Sequence, residues 1–321
     1  MAGAAGSAAE AIGLDVGGTK IAFVRIDENG LPSERGVAST PAESPAATVA
    51  AMISCAEKLV SPRVRAIGVG AAGMVEAKTG TLRFAPNLAW RDVRLANEVS
   101  GTLGLPCIVH NDANVAAWGE FRFGAGRGAE DMLLVTVGTG IGGGIVSGGR
   151  LLHGAHGFAA EIGHIIVEPG GPLCGCGNHG CWEQVASGRA IDRLAANAVE
   201  EDPSSPFAKR FDADPTRARG HALTEAALDG DATAIEIFRR VGSRLGEGIA
   251  GLVNVLDPSV VVVGGGAIDA GDLLLEPARL RYAEAVEASE ARPDVPIVAA
   301  ELGKEAGAIG AAKLALEELD A

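Results

Sequence analysis

Apolar residues cluster at positions 12–16, give way to two glycines, and resume at 21–26. Two strand-forming runs around a glycine tip predict a β-hairpin. Residues 35–40 read as a third strand, 46–60 carry helical periodicity, and 65–70 form an apolar run of the kind found in buried strands. Helix is expected at 92–103, strand at 107–110 and helix at 113–123, so the first part reads βββαβαβα. The opening then recurs. Residues 132–137 predict a strand, Gly138-Thr139-Gly140 a turn, and 141–146 a second strand. A long helical pattern at 233–256 precedes an apolar β run at 260–263, which ends in Gly264-Gly265-Gly266. A last amphipathic helix is expected at 305–316, and the polar stretch 203–220 as an irregular surface excursion. One distant recurrence is not a solenoid period; it predicts two related α/β domains facing each other across a cleft.

The chain has 321 residues, enough for about two domains, and its apolar fraction of 47% supports a large core. A net charge of −14 disfavours nucleic acid and anionic membrane surfaces. An acidic protein that binds a nucleotide must use backbone N–H groups, a few cations and a metal. Residues 1–10 are rich in Ala and Gly without a basic or apolar signal segment, and no run of about 18 apolar residues occurs, so a cytoplasmic protein is expected. There are five cysteines. Cys55 and Cys107 stand apart in apolar surroundings and read as buried thiols. Cys174, Cys176 and Cys181 are clustered, which argues for a metal and against a disulfide framework.

Three constellations carry candidate chemistry. The first is Asp15-Val16-Gly17-Gly18-Thr19-Lys20, where glycines let N–H groups approach an anion and Asp15 requires an intervening Mg²⁺ or water. Gly138-Thr139-Gly140 has the same chemistry, and Gly264-Gly265-Gly266 offers a flat backbone surface on which an adenine could lie. The second is the cysteine cluster with a histidine. Three thiolates and one imidazole complete a tetrahedral Zn²⁺ shell with no open position. His164 and His179 compete for the fourth place. Glu161 lies three residues before His164, and Glu183 follows the cluster, so carboxylates and an imidazole N–H offer partners for sugar hydroxyls. The third is His110-Asn111-Asp112-Ala113-Asn114, at a strand end and helix start. Asp112 suits an N-cap, and it equally suits a base that accepts a hydroxyl proton during phosphoryl transfer. Asn87 adds a loop amide.

These motifs resemble the ROK family (repressor, open reading frame, kinase), and within it the actinobacterial glucokinases. The likeness runs from about residue 12 to the C-terminal helix and is most specific across 133–183. It implies an actin-like ATPase fold of two RNase H-like domains flanking a cleft, with a small domain at 1–116 completed by 305–321 and a large domain at 117–304. It implies ATP with Mg²⁺ at Asp15, Gly17, Gly18, Thr19, Lys20, Gly138, Thr139, Gly140, Gly265 and Gly266. Sugar would be held by Gly73, Asn87, Asn111, Asp112, Glu161, His164 and Glu183, with Asp112 as base. Structural zinc would sit on His164, Cys174, Cys176 and Cys181. The implied reaction is ATP-dependent phosphorylation of the glucose 6-hydroxyl, by a homo-oligomer (dimer or tetramer). Mannose, fructose, N-acetylmannosamine or N-acetylglucosamine as acceptor, polyphosphate as donor, a sugar-sensing regulator and a zinc-loop interaction protein are the competing readings. The family's regulators carry an N-terminal helix-turn-helix, for which a first strand near residue 12 leaves no room. His110 stands where close relatives often carry Glu.

Overall fold

The computed structural model describes residues 9–85 and 90–319. The opening hairpin forms as expected. β1 (Glu10–Val16) pairs antiparallel with β2 (Lys20–Asp27), and β2 with β3 (Pro32–Ser39). In α1 (Pro45–Glu57) the Ser44 hydroxyl accepts from the Ala47 N–H, and Pro45 takes a first-turn position where no N–H is needed. β4 (Val64–Ala71) then runs parallel to β1. Next comes a small antiparallel sheet that the sequence pattern did not predict: β5 (Met74–Glu76), β6 (Thr81–Ala85) and β7 (Trp90–Val93). Its strands are too short to show a period, but Val75, Leu82 and Trp90 bury fully beneath it. The helix expected from 92 therefore starts later, as α2 (Leu95–Leu103), ending on Gly104 in the left-handed conformation. β8 (Cys107–Asn111), parallel to β4, and α3 (Asp112–Phe123) follow.

The second part contains β9 (Met132–Val137), β10 (Ile141–Ser147) and β11 (Arg150–Leu151), then a 3-10 turn at Ile162–His164. Helices α4 (Glu183–Ala186), α5 (Gly188–Glu201), α6 (Pro206–Arg210), α7 (Gly220–Leu228) and α8 (Ala232–Leu256) precede β12 (Val260–Gly264). The stretch expected to be irregular thus holds the short α6, started by a Ser205 cap and Pro206. α9 (Asp272–Ala285), β13 (Ile297–Ala299) and α10 (Ala306–Leu319) complete the chain.

Two five-stranded sheets result, ordered β3-β2-β1-β4-β8 and β11-β10-β9-β12-β13. In chain order within each half both read 3-2-1-4-5, so the recurrence seen in sequence is a recurrence of topology. By contact density the chain divides into two compact units, Met1–Leu134 with Gly144–Ala160 and Ala300–Ala321, and Val135–Gly143 with Glu161–Ala299. The limit expected between 116 and 117 falls inside α3, all of which belongs to the first unit.

α10 returns to the first unit and packs on β1, β4 and α3. Glycine permits this approach. A Cβ at Gly13 or Gly68 would overlap the carbonyl of Ala308 or Ala311, and one at Gly310 the carbonyl of Val115. Among the described residues no helix is long and apolar enough to cross a membrane.

Candidate active site and thiolate cluster

In the first unit the parallel register sets Asp15 beside Gly70 and Ala71 beside Asn111. The carboxyl ends of β1, β4 and β8 thus share one edge, the usual ligand edge of such sheets. The first glycine turn is tight: the Gly17 N–H donates to the Lys20 carbonyl at 3.0 Å, and the Thr40 hydroxyl donates to the Gly17 carbonyl at 2.8 Å. Thr19 and Lys20 remain exposed at the tip, beside Gly18.

Asn111, not Asp112, is the N-cap of α3. Its side-chain oxygen accepts from the Ala113 and Asn114 N–H groups at 2.9 and 3.2 Å, and its amide donates to the Gly73 carbonyl at 3.2 Å. Gly73 has φ +132°, a conformation L side chains avoid. Asp112 is left at the first helical position, where one carboxylate oxygen accepts from the Ala113 N–H at 3.0 Å. Burial raises the Asp112 pKa against the pull of nearby N–H donors. Asp15 is pushed up to about 7, first by burial, then by the charge of Asp112, with Lys20 acting the other way. Asp15 also lies against the start of α10, since a Cβ on Gly307 would come within 2.7 Å of its Oδ2. That neighbour gave no signal in the sequence, being nearly 300 residues away. Asn87 lies outside the described residues.

In the second unit, His164, Cys174, Cys176 and Cys181 present one ligand atom each, all within 4.8 Å of one another. Cys174 Sγ is 3.6 Å from His164 Nδ1, and Cys176 Sγ is 3.6 Å from Cys181 Sγ. A tetrahedron with Zn–S bonds of about 2.3 Å has edges of roughly 3.8 Å, so the donor set fits zinc in type and size. His179 faces away, its Nδ1 3.0 Å from the Gly171 carbonyl oxygen. Burial pushes the Cys174 thiol up to about 12 and also raises Cys181. Burial opposes ionisation of Cys176 too, but the Asn178 N–H and the adjacent thiols bring it below its ordinary value. A divalent cation inverts this logic by stabilising thiolates.

Glycines shape the loop. Gly177 and Gly180 have positive φ, and a Cβ on Gly180 would overlap the Glu168 carbonyl. Trp182, fully buried between Cys181 and Glu183, anchors the loop to α8 by donating its indole N–H to the Arg244 carbonyl at 2.9 Å. Sequence reading missed this anchor, although an aromatic inside a polar, glycine-rich loop marks it.

Two carboxylates flank the cluster. Glu161 Oε2 lies 3.9 Å from His164 Nε2, the imidazole nitrogen turned away from the thiols. Glu183 Oε1 accepts from Cys174 Sγ at 3.0 Å and from Gln184 Nε2 at 3.2 Å. The second glycine turn joins the same neighbourhood. A Cβ on Gly140 would overlap Glu183 Oε2, the Gly188 N–H donates to the Gly138 carbonyl at 2.8 Å, and Gly265 rests on the Val137 backbone. Thr139 lies at the tip of this turn and Gly266 opens a short 3-10 helix.

The sequence model of the ROK family matches residues 11–318. The chain belongs to the ROK family. Its fold is of the actin-like ATPase class. This ROK chain is 44% identical to a glucokinase of Streptomyces coelicolor over 310 residues, 95% of this chain and 97% of that one. It is 36% identical to a glucokinase of Thermotoga maritima, covering 96% and 98%. Among solved structures it resembles the ROK family glucokinase of Streptomyces griseus in complex with glucose and AMPPNP, with a TM-score of 0.86, 43% identity, and 96% and 99% of the two chains covered.

Proposed function

We infer that this ROK chain is a glucokinase that transfers the γ-phosphoryl group of ATP to the 6-hydroxyl of glucose. Glucokinase relatives matched over nearly the whole chain support the reading. The observation that carries it is the division of labour at α3. Asn111 caps the helix, which leaves the Asp112 carboxylate for chemistry.

The transition state of phosphoryl transfer is loose, so catalysis consists of positioning and charge neutralisation. Asp112 aligns the attacking hydroxyl and takes its proton as the new O–P bond forms. Asn111 and the Gly73 backbone position sugar in the first unit, and Asn87 belongs to the same set. In the second unit Glu161 and Glu183 accept from sugar hydroxyls, and His164 donates from Nε2 while Nδ1 serves the metal. Phosphates are met by the N–H groups of Gly17, Gly18, Gly138 and Gly140, by Thr19, Thr139 and Lys20, and the adenine by Gly265 and Gly266. Magnesium carried with ATP would supply neutralising charge, and Asp15 is the carboxylate that would face it. Zinc on His164, Cys174, Cys176 and Cys181 supplies a rigid clamp for the loop. The protein works in the cytoplasm as a homo-oligomer.

A coupled assay over hexoses and N-acetylhexosamines, with ATP or polyphosphate as donor, tests the reading. Glucose with ATP is expected to give the highest kcat/KM. A preference of tenfold or more for another sugar or donor would replace the substrate named here. No turnover with any pair would remove the enzyme reading.

A further inference from the structure

His110 has no part in the sites above, yet it is buried, at 3% exposure, at the end of β8. Its Nε2 lies 3.0 Å from Glu318 Oε1 on the last turn of α10. Its Nδ1 has no hydrogen-bond partner among the described residues. The His153 ring, from the loop after β11, stands 4.8 Å from the His110 ring, and its Nδ1 is likewise buried and unpartnered. Buried polar groups are normally matched, so two unpartnered ring nitrogens beside one carboxylate require a cause.

We propose that His110, His153 and Glu318 form a second metal site, for a divalent transition metal such as zinc. One ligand atom from each lies within 4.8 Å of the others. Two imidazoles and a carboxylate suit zinc and its neighbours, and a set of three protein ligands leaves a fourth position for water. That position has somewhere to open. The three residues line a cavity of about 560 Å³ whose other walls include Glu76, Lys78 and His156. All of these residues belong to the first unit. A metal here ties the end of α10 to the strand that leads into Asn111 and Asp112. It pins the C-terminal helix in the unit to which it returns, and it is independent of the thiolate cluster.

Metal stoichiometry of the full chain tests this without any activity measurement. Apoprotein is dialysed against excess ZnCl₂, then against metal-free buffer, and zinc per chain is counted. Wild type is expected to retain two equivalents. H153Q and E318Q, at partly exposed positions, are expected to retain one and to bind the second roughly 100-fold more weakly. Cobalt separates the sites: the thiolate charge-transfer band is expected unchanged in H153Q and lost in C176S. The second equivalent is expected to raise the wild-type Tm and leave that of H153Q unchanged. A single equivalent in wild type, or two equivalents in both H153Q and E318Q, overturns the proposal.

Discussion

The two halves of the molecule run five strands in the same order, but Gly13 and Gly68 of the first do different work from Gly140 of the second. In the first sheet, Gly13 and Gly68 meet backbone carbonyls of α10, which cannot yield. In the second, the turn glycine Gly140 meets only the tip of the Glu183 side chain, which can. One set of glycines is there to let a helix dock. The other leaves room for the Glu183 carboxylate beside the cysteine loop. On the proposed reading the chemistry divides too: the first half would carry the base, and the second the sugar contacts beside the cysteine cluster. Turnover is therefore expected to respond most to Asp112, and affinity to the second half together with Asn111 of the first.

The largest expected effect is Asp112→Asn. The amide keeps the shape and the contact to the Ala113 N–H can be retained, but it cannot take a proton. Loss of a general base costs roughly 10²–10⁴-fold, so kcat is expected to fall by about 10³ with the glucose KM within a few-fold of wild type. Steady-state kinetics check this, and full turnover in the variant removes the base assignment. Next is Gly68→Ala, where a methyl is forced against the Ala311 carbonyl inside a packed layer. Overpacking costs typically about 1–3 kcal/mol, and backbone contact places this change at the upper end. A denaturant midpoint well below wild type is expected, with unchanged KM in the folded fraction. An unchanged midpoint would mean that α10 does not depend on this close approach.

Cys176→Ser tests the second half. Zinc content is expected to drop by one equivalent and the glucose KM to rise roughly 10–100-fold, because Glu161, His164 and Glu183 lose the brace that orients them. Metal analysis beside kinetics reads both, and zinc loss with unaltered KM would uncouple the loop from sugar binding. Gly140→Ala is milder. The new methyl displaces Glu183 Oε2 and leaves the core alone, so a several-fold rise in glucose KM with little change in Tm is expected. If this variant instead unfolds while Gly68→Ala is tolerated, the contrast between the two glycine roles is reversed.

Much of this organisation was legible in the chain because its signals are local. The hairpins announce themselves by apolar runs around Gly17-Gly18 and Gly138-Thr139-Gly140, and the thiolate cluster by three cysteines within one loop. The identity of the helix cap was not legible. Asn111 and Asp112 are both good caps, and only the geometry of α3, together with the Gly73 carbonyl, assigns the role to Asn111. Nor was the β5–β7 sheet, whose strands are too short to establish an alternation. The grouping of His110, His153 and Glu318 depends on where α10 returns, and no short-range pattern encodes that return. The same holds for Asp15, whose setting is completed by Gly307.

Asp15 marks the smallest and sharpest difference between the halves, because the second glycine turn has Thr136 at the corresponding strand position. Its pKa is raised from 3.8 to about 7, by burial first and by Asp112 second. A folded state that holds a proton more tightly than the unfolded chain gains stability at low pH. That gain is complete below the unfolded value and is lost as pH rises through about 7. The full shift corresponds to about 4 kcal/mol at most. Relaxation of the turn and water entry reduce it, so about 1–2 kcal/mol is expected, or a few degrees in Tm. Asp112 is raised in the same sense, so the wild-type pH profile alone does not isolate Asp15. The Asp15→Asn variant does. Without magnesium and nucleotide, it is expected to gain Tm relative to wild type between pH 6 and pH 8.5. Magnesium with a nucleotide is expected to shrink that gain, because the cation stabilises the wild-type carboxylate and has nothing to hold in the amide. A Tm difference that is flat with pH would mean that Asp15 is already ionised in the folded protein, and the two glycine turns would then differ in sequence but not in electrostatics.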